Sequence, residues 1–202
     1  MALSLDSASK ARVLDFVRPL SVGLDGMTNF GFVERRVRIS DFLEGEEGKA
    51  GARDCGEADP NRLFLLAAFA GLPAARRITR DSREELLLRS VSLSFEEISS
   101  LSLSLSRLGS KPETFEEKIV HDAMLLESVG AYGVTQILVA GARERMTLAE
   151  MADEIDARMD AARFATAAGG RLASERIAFA KEFAAKLRAE AAEFGTTAAP
   201  SD

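Results

Sequence analysis

The sequence predicts an all-α protein, and three observations support that prediction. Ala, Leu, Glu and Arg, which favour helices, dominate the 202 residues. Runs of β-branched and aromatic residues, which are typical of strands, are scarce. Three segments begin with Ser or Thr followed three residues later by Glu, the pattern of a capping box at a helix start. These pairs are Ser94 with Glu97, Thr114 with Glu117, and Thr147 with Glu150.

In chain order, the first expected element is an N-terminal helical arm over residues 1–24. Residues 44–60 mix four glycines with charged residues and hold almost no large apolar side chain, so we expect a flexible loop there. In residues 90–108 serine and leucine alternate as in a strand, yet Ile98, Leu101, Leu105 and Leu108 follow helical spacing. A capping box precedes them and Gly109 follows, so we expect a helix that ends in a left-handed glycine.

The second half of the chain is expected to be helical as well. The apolar window at residues 123–142 is interrupted by Glu127 and Gln136, which favours a buried core helix over a membrane span. Gly169 and Gly170 predict a break or kink before a helix over residues 171–193. Residues 196–202 are expected to form a disordered tail.

Composition narrows the possible functions. The formal charge of −6 argues against the nucleic-acid backbone as a partner. The single Cys, Cys55, cannot form an internal disulfide, and no apolar segment begins the chain, so we expect a cytoplasmic protein without a membrane span. The single His excludes sites that need two imidazoles. The length suits one domain.

Two short motifs invite functional interpretations that the residues do not favour. Lys49 follows a glycine, but Ala50 stands where a phosphate-binding loop needs Ser or Thr. Cys55 has no suitable base nearby in the sequence, so an incidental exposed thiol is favoured.

A basic cluster follows the apolar run at residues 63–72. Its guanidinium groups could clamp a phosphate or an acidic partner, although a solvated helix end is the favoured interpretation. The cluster consists of Arg76, Arg77, Arg80 and Arg83.

His121 and Asp122 are adjacent, a pairing that suggests metal binding or acid–base chemistry. Neighbouring residues on a helix point about 100° apart, so the two could serve one site only with partners from other helices. Asp122 lies beside an apolar helical stripe, so we expect it to be at least partly buried. A structural carboxylate with satisfied hydrogen bonds is the first interpretation.

Residues 112–131, PETFEEKIVHDAMLLESVGA, resemble the third signature of the HD-domain phosphohydrolases. Looser similarities lie in residues 32–40 (first signature), 59–75 (apolar run) and 166–190 (closing helix). The resemblance covers residues 25–195 and implies an HD-domain-like helical bundle.

The resemblance also implies a metal site built from a His, an adjacent His-Asp pair and a distal Asp. Only the distal carboxylate matches here, as Asp122, and His121 is not at a ligand position. Residues that cannot ligate an ion stand at the other positions: Phe32 for the first His, Gly71 and Leu72 at or near the pair, and Leu103 where some members have a further His. Met124 and Glu127 replace two acidic residues of the signature.

The resemblance therefore implies a pseudoenzyme with no metal and no cofactor, which would act as a binding, regulatory or scaffolding protein. We expect a protein partner or self-association, and a small anionic ligand is a further possibility at the arginine cluster. The alternative is a divergent phosphohydrolase in which Glu34 or Glu127 rebuilds a carboxylate Mg²⁺ or Mn²⁺ site around Asp122.

Overall fold

The computed structural model describes residues 3–21, 30–49, 58–72 and 78–194. Within these ranges the chain has nine helices and no strand, which confirms the all-α prediction. The helices are α1 (Ser7–Leu20), α2 (Phe30–Lys49), α3 (Pro60–Phe69), α4 (Arg83–Ser90), α5 (Phe95–Arg107), α6 (Phe115–Leu126), α7 (Gly130–Glu144), α8 (Leu148–Ala161) and α9 (Ala167–Phe194).

The chain divides into two compact units. Unit 1 comprises Met1–Met124 and Phe164–Gly169, and unit 2 comprises Leu125–Arg163 and Gly170–Asp202. The domain boundaries expected from the sequence stay a prediction.

Unit 1 is organised around α3. Every residue from Leu63 to Phe69 is buried, because α1, α2 and α5 all pack against this helix. A helix that is apolar on all sides is stable only when it is covered on all sides. Asp59 caps α3 by accepting hydrogen bonds from the amides of Asn61 and Arg62 at 2.9 and 3.1 Å.

The N-terminal segment that the sequence predicts as a helical arm contains α1. Val13 and Val17 of α1 are fully buried, and α1 packs against α2, α3 and α4. These two apolar residues lie one turn apart on the face of α1 that packs against the rest of unit 1.

The predicted flexible loop over residues 44–60 is wrong where the structure describes it. Helix α2 continues to Lys49, and α3 begins at Pro60. Two glycines weaken the local helix preference of residues 44–49. Burial of Leu43 and Glu47 on one face of α2 compensates for that weakness. Residues 50–57, including Cys55, lie outside the described ranges.

The capping boxes and the α5 stripe are confirmed. In all three pairs the Ser or Thr hydroxyl accepts a hydrogen bond from the backbone amide of the Glu. The Glu carboxylate in turn accepts one from the backbone amide of the Ser or Thr. Ile98, Leu101, Leu105 and Leu108 are buried, whereas Leu103, which falls off the stripe, is exposed. Gly109 is not left-handed, because positive φ among the described glycines is confined to Gly71 and Gly130.

Two predictions about helix limits are wrong. The apolar window at residues 123–142 is not one helix, because α6 ends at Leu126 and α7 begins at Gly130. Conversely, α9 runs through Gly169 and Gly170 without interruption, and the break before it lies at residues 162–166. Tail residues 196–202 lie outside the described ranges.

Unit 2 contains α7, α8 and most of α9. Helices α7 and α8 pack against each other, with Ile137, Met151, Ile155 and Met159 among the buried side chains. Ion pairs link α8 to α9, since Arg188 contacts both Asp153 and Asp156 at 2.8 and 2.7 Å.

No single helix in the described ranges is long and apolar enough to cross a membrane. One bent pair, α6 with α7, reaches the required length and composition together.

Glu117 ties the end of α5 to the start of α6. Its side chain is fully buried, accepts hydrogen bonds from the amides of Glu113 and Thr114, and lies 2.6 Å from Arg107. Burial alone would raise the pKa of Glu117, but hydrogen bonds from Ser104, Arg107 and the two amides outweigh it and hold that pKa below its usual value.

A lowered carboxylate pKa stabilises the fold above the unfolded-state value of about 4.3, and this contribution disappears as the pH falls through the folded-state pKa. We expect Glu117→Gln to lower the free energy of unfolding by roughly 2 kcal/mol at pH 7, less than for a fully buried pair because Arg107 is 24% exposed. Denaturant titrations from pH 7 to pH 3 measure the loss in free energy of unfolding, which should shrink towards pH 3.

Glu96→Gln, at an exposed glutamate, is the control. A deficit that is independent of pH would contradict the assignment.

Candidate functional site

The carboxylate of Asp122 on α6 is bound by the segment that precedes α9. Oδ1 accepts a hydrogen bond from the amide of Ala165 at 2.7 Å, and Oδ2 accepts from the amide and the hydroxyl of Thr166 at 2.8 and 2.7 Å. The Asp122 side chain is fully buried, as the sequence predicted. Both oxygens are therefore engaged by the chain itself.

We call the contact between Asp122 and the segment before α9 the Asp122 junction. Two further hydrogen bonds lie beside it. The hydroxyl of Thr166 accepts from the amide of Gly169, and the buried carboxylate of Glu47 on α2 accepts from the amide of Ala168. The first amides of α9 lack acceptors within the helix, and the Glu47 carboxylate and the Thr166 hydroxyl accept hydrogen bonds from two of them. Negative charge is also favourable at this end of the helix dipole.

Gly169 permits the close approach of Asp122 to α9. A Cβ atom at this position would lie 2.2 Å from Oδ2 of Asp122, which is far inside van der Waals contact. From the sequence, this glycine was expected to break or kink the helix. Its role is to leave space for a carboxylate 47 positions earlier in the chain.

The environment of Asp122 has opposing effects on its ionisation. Burial raises the pKa of Asp122 above its usual value, and the hydrogen bonds from Ala165 and Thr166 offset part of that rise. The nearby imidazole of His121 also favours the ionised form.

His121 is held by a different partner. Its Nδ1 lies 2.6 Å from the carbonyl oxygen of Leu108, just after α5, and its side chain is half-buried. The adjacent residues His121 and Asp122 thus bind two separate segments, as their positions on a helix require.

The remaining positions that the resemblance relates to a metal site carry no ligand side chain. Phe32 is buried on α2, with the guanidinium of Arg35 5.0 Å from its ring centroid. Gly71, with a φ of 81°, and the buried Leu72 follow α3. Leu103 is exposed on the outer face of α5.

Arg36 is a residue of this region that the sequence analysis missed. Its buried guanidinium donates a hydrogen bond to the carbonyl oxygen of Ala70, and Nη1 lies 3.3 Å from where a Cβ of Gly71 would be. A cation is favourable at the carbonyl end of α3. No feature of the sequence distinguishes Arg36 from the nearby Arg35 and Arg38.

A cleft of about 340 Å³ lies where α3 and α5 end, next to α6. Apolar side chains form most of its wall, with glycine and serine between them, and none of the described residues that line it is charged. Gly71 and Leu72, which the resemblance places at or near the His-Asp pair, and Met124 of the third signature are part of the wall. The volume lies at the lower end of the range for small-molecule sites.

The donor set does not fit a divalent metal ion. Catalytic sites use three or more protein ligands, and the described residues contain no group of three His, Cys, Asp or Glu side chains that could hold one. Glu34 is exposed on α2, and Glu127 is buried in unit 2.

The predicted arginine cluster is only partly described. Arg76 and Arg77 lie outside the described ranges. Arg80 and Arg83 are both exposed, and only Arg80 lines a groove, where the other arginine is Arg89.

Solved structures share this fold. YpgQ of Bacillus subtilis in complex with ADP aligns with a TM-score of 0.63 and 16% identity, over 95% of this chain and 98% of that one. The Lin1889 protein of Listeria innocua gives 0.67 and 17%, over 91% and 95%. A Lactobacillus plantarum protein gives 0.68 and 14%, over 94% and 100%. No family model and no curated protein sequence matches the chain. Identities this low show a common fold alone.

The Asp122 junction predicts that alanine substitutions at two adjacent glycines have different effects on the free energy of unfolding. Gly169→Ala should lower the free energy of unfolding by about 2 kcal/mol, because the new methyl group collides with a carboxylate held by three hydrogen bonds. Gly170→Ala should leave it unchanged or raise it by up to about 1 kcal/mol, because open space surrounds that position and alanine favours helices. Chemical denaturation of both variants measures the difference. Equal effects would show that Gly169 does not face the carboxylate.

Proposed function

We propose that this chain is an HD-like protein that has lost the metal-dependent hydrolase site and acts as a binding or regulatory protein. One observation carries the proposal. Asp122, the single ligand position that the resemblance retains, has both oxygens engaged by Ala165 and Thr166. Three hydrogen bonds leave about one of the roughly four acceptor positions of this carboxylate free, and the described residues offer no group of three ligand side chains that would complete a metal site.

A second observation supports the loss. The resemblance places the His-Asp pair at or near Gly71 and Leu72, and the guanidinium of Arg36 lies beside Gly71. A fixed positive charge at that place repels a divalent cation, because two like charges a few ångströms apart in a buried environment are strongly unfavourable. Phe32 adds apolar volume on α2.

The cleft beside α6 is the proposed binding site. The described residues of its lining are uncharged, so we infer a small ligand, or a part of one, that is largely apolar and carries no negative charge. YpgQ has been solved in complex with ADP, which indicates that this fold accommodates a small molecule. The described lining of this cleft favours a nucleobase or another neutral group over a phosphate.

Metal analysis combined with an activity screen tests the proposal. Protein purified without chelator should contain well below one equivalent of Mn, Fe or Zn. Its turnover of p-nitrophenyl phosphate and nucleotides with added Mg²⁺ or Mn²⁺ should not exceed the blank. Asp122→Asn should lower the melting temperature without changing either result.

The control is Asp41→Asn, at an exposed carboxylate of α2. One equivalent of metal, lost together with phosphate-ester turnover in Asp122→Asn but not in Asp41→Asn, would overturn the proposal. That outcome would establish the divergent metal-dependent phosphohydrolase instead.

A further inference from the structure

Helix α9 buries only small residues. Among residues 167–193, the buried ones are all alanine or glycine: Ala168, Gly169, Ala173, Ala180 and Ala184. The large apolar side chains in that range are all partly exposed: Leu172, Ile177, Phe179, Phe183 and Leu187. A helix in a folded protein is stabilised mainly by the packing of its apolar face. Part of the apolar face of α9 is therefore not covered by its own chain.

Four of these side chains form one stripe along the helix, which we call the α9 stripe. The stripe consists of Leu172, Phe179, Phe183 and Leu187. At 100° per residue, they fall within about 80° of the helix circumference, beside the buried alanines. Phe179, near the middle of the stripe, is 48% exposed. Arg176 lies in the same sector and is held to its own chain, because its guanidinium donates a hydrogen bond to the carbonyl oxygen of Leu126 at 3.0 Å.

The α9 stripe can pack against a second copy of itself in antiparallel orientation. Leu172 and Leu187 lie at nearly equal distances from Phe179, seven positions before it and eight after it. When two stripes are aligned antiparallel about a two-fold axis near Phe179, Leu172 of each copy meets Leu187 of the other, and the two Phe179 rings meet at the centre. Phe183 then meets the aliphatic part of the Arg176 side chain of the other copy. This arrangement covers the whole stripe.

The charged residues on the exposed side of the stripe favour the antiparallel orientation. Four of them are Arg171, Glu175, Lys186 and Glu190. In the antiparallel pair, Glu175 of one copy and Lys186 of the other are offset by only about 3 Å along the helix axis. The offset between Arg171 and Glu190 is the same. A parallel pair would instead place each charge against its own copy.

One further acidic residue lies on this side of the helix between Arg171 and Glu190. Glu182 forms an ion pair with Lys186 of its own chain, with 2.7 Å between Oε1 and Nζ. In the antiparallel pair, Lys186 therefore lies between Glu182 of its own chain and Glu175 of the other copy. The lysine is the cation that both carboxylates share.

We propose that the protein forms a homodimer through the α9 stripe, with the two helices antiparallel about a two-fold axis near Phe179. The apolar stripe supplies the contact, and the flanking charges select the antiparallel orientation. The stripe lies within unit 2, whereas the cleft beside α6 is lined by residues of unit 1, so the dimer does not depend on the proposed function. A single helix pair is small compared with the roughly 1,600 Å² of stable interfaces, so we expect a dimer that dissociates on dilution.

Sedimentation equilibrium of the full chain, from micromolar to millimolar concentrations, tests the proposal. The measured mass should rise with concentration from that of one chain towards that of two. Phe179→Glu should weaken the dimer at least about tenfold, because it brings two carboxylates together at the centre of an apolar contact. Thermal unfolding verifies that this variant is folded, as expected for a change at an exposed position.

A charge swap tests the orientation of the two helices. Glu175→Lys and Lys186→Glu should each weaken the dimer roughly tenfold, because each change replaces two opposite-charge contacts by like-charge contacts. The double variant Glu175→Lys/Lys186→Glu should regain most of the lost affinity. Within one chain the two residues are about 16 Å apart along the helix, so the recovery can arise only from contacts between copies.

Lys181→Glu is the matched control, because Lys181 is an exposed lysine of the same helix that points about 140° away from Lys186 and pairs with Asp160 of its own chain. This variant should dimerise as the unchanged chain does. The proposal is overturned if the chain sediments as a monomer at every concentration, which would leave the stripe to a different partner. It is also overturned if Phe179→Glu leaves the dimer unchanged, or if the charge swap binds no better than the single variants.

Discussion

A buried carboxylate needs hydrogen-bond donors, and in this chain the two residues before α9 supply them to Asp122. Much of unit 1 follows from that requirement. Residues 164–169 belong to unit 1 although they are more than 40 positions from Asp122 in the sequence, because Asp122 and Glu47 both accept hydrogen bonds from them. Gly169 has to lack a side chain at this junction. The first turn of α9 in turn obtains the partners that every helix start requires.

The same interaction bears on what the protein does. Under the proposed function, a carboxylate that accepts three hydrogen bonds from the chain has about one acceptor position left for a metal ion. Arg36 at the end of α3 adds a positive charge beside Gly71, and Phe32 adds apolar volume on α2. Under the proposed function, these residues describe a site whose polar requirements are met internally. What unit 1 then offers to other molecules is the cleft beside α6, whose described lining is uncharged.

Local signals in the sequence predicted the elements that local interactions stabilise. The three capping boxes and the stripe on α5 depend on residues within four positions of one another, so the sequence shows them directly. The continuation of α2 to Lys49 and of α9 through Gly169 depends on distant partners. Glu47 meets α9 121 positions later, and Gly169 meets Asp122. A glycine that provides space for a distant side chain looks the same in sequence as one that ends a helix. Burial of Asp122 was predictable from its stripe, but its partners and the position of Arg36 were not.

The central claim is that Asp122 holds the start of α9 rather than an ion, and a double-mutant cycle between Asp122→Ala and Thr166→Val tests it most directly. The free energies of unfolding of the two single variants and the double variant give the coupling between the carboxylate and the hydroxyl. We predict that Thr166→Val costs about 1–2 kcal/mol less when Asp122 is already absent, since the bond of 2.7 Å between them is lost only once. Additive effects, together with a melting temperature that Mn²⁺ raises only when Asp122 is present, would contradict the account.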